Sequence, residues 1–264
     1  MRESESRTVV VTSSRPWPRL MSTTIVSRIG VRTLICRALL PIVLLLACFP
    51  APAADALSKP AAAPWSDSFT TRLEALALLQ SLNADLLSHD SATLTLERWC
   101  ATHRLATPAT VVADRVRNAD QPPTAAVRTL LGAGETEPVK YRRVRLRCGD
   151  RVLSEADNWY VPARLTAAMN EALDASDIPF GKAVQALNYR RRTLSAQLLW
   201  APLPEGWEMS AAARSSGRSA LQVPPQVLQH KAVLTLPDGT PFSHVVETYT
   251  SEVLGFPEPA PAGP

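Results

Sequence analysis

Two side chains in this sequence could do chemistry together. Glu247 stands inside the apolar run Val245-Val246-Glu247-Thr248-Tyr249. Strand alternation puts Val245, Glu247 and Tyr249 on one face and Val246 and Thr248 on the other. If the Glu247 face is covered, the carboxylate needs a partner or a raised pKa; if it is open, the carboxylate is simply solvated. Arg143 poses the same question in a strand where Val144, Leu146 and Cys148 alternate with Arg143, Arg145 and Arg147. Arg145 and Arg147 read as a solvated basic face. One inward arginine opposite one inward glutamate would make a site for a small anion, because a guanidinium fork donates two parallel hydrogen bonds to a carboxylate.

Other chemistries lack their residues. No glycine-rich phosphate loop, G-x-S-x-G elbow or H-E-x-x-H helix occurs. The four histidines, His89, His103, His230 and His244, are scattered singly. Neither a metal nor another cofactor is expected.

The elements that must position these residues follow from periodicity. Phe69, Leu73, Leu76, Leu79, Leu82 and Leu86 recur at three and four, which predicts an amphipathic helix over 67–87. A second helix starts at Asp90 or Ser91, both good N-caps, and completes a helical hairpin. Residues 108–117 read as a strand and 125–131 as a short helical patch. Residues 139–148 and 152–161 read as a hairpin turning at Gly149-Asp150. A helix follows over 164–175, then a turn at Ile178-Pro179-Phe180-Gly181 and a strand over 188–200. Residues 201–229 are rich in Pro, Ser, Gly and Ala and predict an unusually long irregular segment. A last hairpin joins 231–236 to 241–250 through Asp238-Gly239. Strands in hairpins with helices between them give an antiparallel α+β domain.

Composition sets the outer limits. The chain has 264 residues, 46% apolar and 20% charged, with 23 Pro and 4 Cys. That is too apolar for a disordered chain and too poor in Cys for a disulfide-stapled miniprotein. Residues 38–48 form an eleven-residue apolar run, preceded by Arg28, Arg32 and Arg37 and followed by Ala51-Pro52-Ala53-Ala54. The run is too short to span a bilayer but fits a secretory signal, whose start is better placed at Met21. Residues 1–56 read as this leader, 57–66 as a linker, 67–256 as one domain and 257–264 as a Pro-rich tail. The leader also owns the net charge of +4: taking its seven arginines and three acids from 28 and 24 leaves 21 of each. The remainder has no basic excess for nucleic acid to meet. The expected place is periplasmic or secreted. A soluble exported protein and a monomer are expected; Leu45-Leu46-Ala47-Cys48 resembles a lipobox, so the alternative is a lipoprotein held at the membrane only through a lipid anchor at Cys48. Cys100 and Cys148 could pair in an oxidising compartment, although two separate buried thiols are the favoured reading.

The residues resemble one known family. Asp90-Ser91-Ala92-Thr93 resembles the helix start of bacterial chorismate lyase, and Tyr141-Arg142-Arg143-Val144-Arg145-Leu146-Arg147-Cys148 its central strand. The return strand to Val161-Pro162, the turn at Ile178–Gly181, and Gly239-Thr240-Pro241 followed by Glu247 match in order and spacing. The resemblance covers roughly residues 73–256. It implies a six-stranded antiparallel sheet with helices on one side and an enclosed ligand pocket, the fold also used by the UTRA-like effector domains of GntR-type regulators. It implies that Arg143 binds a carboxylate, helped by the backbone N–H groups of Ala92 and Phe180, and that Glu247 is catalytic near the far end of the ring. The family's second arginine falls on Asn158, for which Arg192 or Arg115 could compensate. The implied activity is cofactor-free elimination of pyruvate from chorismate, giving 4-hydroxybenzoate, or a related reaction on a small cyclic carboxylate. The alternatives are a non-catalytic module binding a small aromatic carboxylate, and a structural domain with an eroded pocket.

Overall fold

The structure, a computed structural model, describes residues 65–209 and 216–259. The leader with Met21 and the anchor candidate Cys48, the linker up to residue 64, and the end of the tail lie outside the described residues.

The helical hairpin forms where the apolar spacing places it. Helix α1 spans Phe69–Ser88 and is capped by Ser68, whose hydroxyl accepts from the Thr71 N–H. Its Ala75, Leu79, Leu82 and Leu86 are fully buried, and each such leucine stabilises the domain by about 1.5–3 kcal/mol. Helix α2 spans Ala92–Thr102 and is capped by Ser91, which accepts from the Leu94 N–H. Strand β1 (Ser66–Ser68) precedes α1. After α2 come β2 (Val111–Arg115), α3 (Ala125–Leu131), β3 (Lys140–Cys148) and β4 (Arg151–Tyr160). Then follow α4 (Ala167–Ala175), α5 (Phe180–Ala183), β5 (Arg190–Leu198), β6 (Ser216–Ala220), β7 (Gln226–Thr235) and β8 (Pro241–Thr250).

The fold is α+β, with a six-stranded antiparallel sheet in the order β2-β3-β4-β8-β7-β5. The β3–β4 hairpin turns on Gly149, whose φ of +58° favours glycine and whose absent Cβ would sit 2.6 Å from the Ala106 Cβ. Helices α1 and α2 supply the main core against one sheet face. The short α3 lies on the other face, where Val127 and Leu131 pack with Trp159, Val161, Tyr141 and Val246.

Four expectations are corrected. The linker reading fails at its end: Trp65 is buried, its indole N–H donates to the Phe256 carbonyl at 2.8 Å, and Ser66 opens β1. The tail reading fails at its start, because Glu258 accepts from the Ser66 N–H at 2.9 Å and ties the two ends of the domain together. The long irregular segment over 201–229 contains β6, which pairs with β1 as a two-stranded ribbon, and the first residues of β7. Finally, Cys100 and Cys148 are not separate thiols. They form a disulfide with Cα atoms 6.6 Å apart, joining α2 to the end of β3. Pairing of residues 48 apart is set by packing, which spacing does not reveal.

Candidate functional site

Strand pairing decides which side chains meet. Neighbours opposed across an antiparallel sheet share a face. Arg142 on β3 lies opposite Asn158 on β4, which lies opposite Val245 on β8 and, through it, Ala232 on β7. The next row along the same face is Val144, Ala156, Glu247 and His230. This face looks toward α2 and α5, and a cavity opens between them, lined by Arg142, Asn158, Tyr189, Arg191, Val245 and Glu247 among others.

The expected site residues divide cleanly. Ala92, at the start of α2, and Phe180, at the start of α5, line the cavity, as do Asn158 and Glu247. Arg143 does not. It belongs to the opposite face, half-exposed, and faces Glu155 at 3.2 Å and Asp157 at 3.7 Å. Arg192 is also on that face and exposed. In both cases the arginine one residue earlier, Arg142 or Arg191, occupies the cavity, because a shift of one residue along a strand reverses the face. For Arg142 the signal lay in the sequence: it has the same parity as Val144, Leu146 and Cys148.

Glu247 is buried, which removes the solvated alternative. Its carboxylate accepts from Arg191 at 2.5 Å and from the Tyr249 hydroxyl at 3.2 Å. Burial is the largest single influence and works against the Arg191 charge, yet the Glu247 carboxylate together with Tyr249 and Tyr189 keeps the guanidinium's pKa above the ordinary arginine value. Burial, with the Glu247 charge second, pushes the Tyr249 phenol well above its ordinary pKa. Behind this pair, His230 meets Asn83 through Nε2 at 2.8 Å, and burial lowers its pKa to about 4.

Arg142 is arranged differently. It is buried, and its Nη2 donates to the Ile178 carbonyl at 3.0 Å while its Nε has no partner. Among the described residues no carboxylate lies within 4 Å of it, since Glu247 is taken by Arg191. Burial is the main influence lowering its pKa, followed by the nearby Arg115 charge. Asn158, beside it, accepts from the Ser243 hydroxyl at 2.6 Å. Asp90 at the cavity edge accepts from the Arg191 N–H at 2.7 Å and from the Arg190 guanidinium at 3.3 Å. Gly181 lets α5 approach α2: a Cβ there would stand 3.1 Å from the Tyr189 hydroxyl and 3.2 Å from the Ser91 hydroxyl. Among the described residues no group of His, Cys, Asp and Glu could hold a metal ion. No helix among them is long and apolar enough to cross a membrane.

The uncharacterized protein y4mC of Sinorhizobium fredii (strain NBRC 101917 / NGR234) is 59% identical over 196 residues, covering 74% of this chain and 83% of the relative. The chain belongs to the y4mC family. No protein-family model matches it. Solved structures similar to this y4mC-family chain include the effector domain of PhnF from Mycobacterium smegmatis, at 12% identity and a TM-score of 0.40, covering 62% of this chain and 90% of that one. Another is YydK from Bacillus subtilis subsp. subtilis str. 168, described as a possible transcriptional regulator, at 19% identity and a TM-score of 0.36. The match covers 57% of this chain and 62% of YydK.

The expected lyase activity is corrected. The solved structures named above are described as an effector domain and a possible transcriptional regulator, and neither of these two is described as a lyase. The y4mC-family cavity also lacks the expected equipment: Arg143 is outside it, Asn158 carries no charge, and Glu247 is held in an ion pair. Elimination of pyruvate to 4-hydroxybenzoate is therefore withdrawn, and the relatives lend no support to a periplasmic place.

Proposed function

We propose that this domain is a ligand-sensing module that captures a small aromatic or cyclic monocarboxylate and leaves it chemically unchanged. One observation carries the reading: Arg142 is a buried guanidinium at the wall of a largely apolar cavity, and among the described residues its Nε–H is unmet and it has no carboxylate partner. A buried charge is costly unless paired, and a carboxylate entering from outside would pair it. Val144, Leu146, Leu234 and Val245 would then cover the apolar body of the ligand. Among the described residues lining the cavity, Arg142 is the cation without a carboxylate, which suits one anionic group; the other cation there, Arg191, is already neutralised by Glu247. The same ion pair argues against turnover, because a general base must be free to take a proton.

The reading extends to the compartment. The Cys100–Cys148 disulfide suits an oxidising environment, in keeping with export directed by the leader.

The test is calorimetric titration of the purified full chain with benzoate, 4-hydroxybenzoate and cyclohexanecarboxylate, with benzamide as the uncharged control. Binding of the acids, at least about tenfold tighter than benzamide, is expected from a charge-assisted contact. Equal affinity for benzoate and benzamide, or no binding of any of the acids, would overturn the proposal.

A further inference from the structure

Strand β2 stops at Arg115, while its partner β3 continues outward past Val144 to Lys140. The chain leaves the sheet there through Val116 to Ala119, turning on Asn118, which holds a left-handed φ of +62°. This departure opens a notch at the sheet edge, lined by Arg115, Arg117, Asn118, Tyr141, Arg142 and Arg143. Four arginine residues thus border one concave surface.

Their charges are not all balanced. Arg143 is neutralised by Glu155 and Asp157, and the Tyr141 hydroxyl donates to Asp157 at 2.5 Å. Among the described residues the Arg115 side chain donates to the Asp174 backbone carbonyl, at 3.1 Å, and the Asp174 carboxylate is itself paired with Lys140 at 2.8 Å. Arg117 is exposed, and among the described residues neither Arg115, Arg117 nor Arg142 has a carboxylate within 4 Å. After burial, the Arg115 charge is the next influence disfavouring the charged form of Arg142, and Tyr160, Asp177 and Asp174 act in the opposite sense. Like charges held together without counter-charges are unfavourable unless an anion joins them. Three unneutralised arginines stand here although the chain after the leader has as many acidic as basic residues.

We propose that this notch is a second anion site, distinct from the cavity, that binds a phosphoryl group through Arg115, Arg117 and the outer side of Arg142. A phosphoryl group carries up to two negative charges and three acceptor oxygens, which suits several guanidinium forks converging from different directions; a carboxylate has only two oxygens to share among them. Arg142 borders both the notch and the cavity. A dianion in the notch would satisfy part of its charge and so weaken carboxylate binding in the cavity, and by linkage the reverse holds equally.

The experiment titrates inorganic phosphate into the purified full chain, followed by calorimetry and by phosphorus-31 line broadening, with sulfate as a second probe. Phosphate is expected to bind in a salt-sensitive manner. Arg115→Gln and Arg117→Gln should each weaken it by about tenfold, the value of one charge-assisted contact, while circular dichroism stays that of the parent. Benzoate affinity should stay within about twofold in Arg117→Gln, whose side chain borders only the notch. Absence of phosphate binding would overturn the notch. So would phosphate binding that both variants leave intact, or binding that only Arg142→Gln abolishes, since either places the ion in the cavity. Phosphate binding without any benzoate binding would support the notch while removing the carboxylate reading, so the two proposals fail separately.

Discussion

Arg191 on β5 reaches past β7 to close on the Glu247 carboxylate of β8 at 2.5 Å, with both side chains at most 8% exposed. A buried pair of this kind does not add much net stability, because desolvation of both charges offsets their attraction. Breaking it from one side is different. Glu247→Ala leaves the Arg191 charge buried and unpaired, with an expected loss of about 3–5 kcal/mol in urea unfolding. The double replacement Arg191→Met with Glu247→Leu should recover most of that loss. A single variant as stable as the parent would show that the pair is solvated in solution.

The cavity reading separates two adjacent arginines. Arg142→Ala should weaken benzoate binding by at least about tenfold, whereas Arg143→Ala should leave it unchanged, since a charge-assisted contact accounts for that difference. Calorimetry on the two variants decides the matter. The opposite ranking would return Arg143 to the site and reverse the face assignment of β3.

His230 makes the domain acid-sensitive. Its pKa is lowered to about 4, chiefly by burial; the Glu247 charge acts against the shift and the Arg191 charge adds to it. The folded state therefore binds this proton less readily than the unfolded chain, whose histidine titrates near 6.5. The contribution to stability is complete above about pH 6.5 and is lost as pH falls toward 4, amounting to about 3 kcal/mol. Urea midpoints at pH 7, 5.5 and 4 should trace that fall, and His230→Gln, which can still meet Asn83, should flatten it. An equal slope in the variant would assign the acid sensitivity elsewhere.

The Cys100–Cys148 bond should matter to stability as well as to place. It joins α2, whose first residues border the cavity, to β3, which carries Arg142. Cys100→Ser with Cys148→Ser should cost about 2–4 kcal/mol, as is usual for a native cross-link. Unfolding curves with and without reductant give the same comparison on the parent chain. No change on reduction would mean that the two thiols are free in the purified protein.

Much of the architecture was written in local pattern. Leucines at three and four made α1, alternation made β3 and β8, and Gly149 and Gly239 made the hairpin turns, because these features depend on residues close along the chain. Even the face of Arg142 was legible, through its common parity with Val144 and Leu146. The resemblance to a known family pointed one residue further, to Arg143, and so to the wrong side of the sheet.

Arg191 was not legible in the same way. Strand β5 is mostly exposed, with few buried apolar residues to mark a face, and only its pairing of Arg191 with Leu234 on β7 turns that side chain inward. The Cys100–Cys148 bond, the strand β6 and the anchoring of Trp65 likewise depend on partners 48 or more residues away. Sequence by itself determined the elements and placed an acid on a strand that the core would cover. Tertiary structure alone decided which arginine meets that acid and which is left unpaired, because the choice rests on strand register, and one residue of register separates a buried charge from a solvated one.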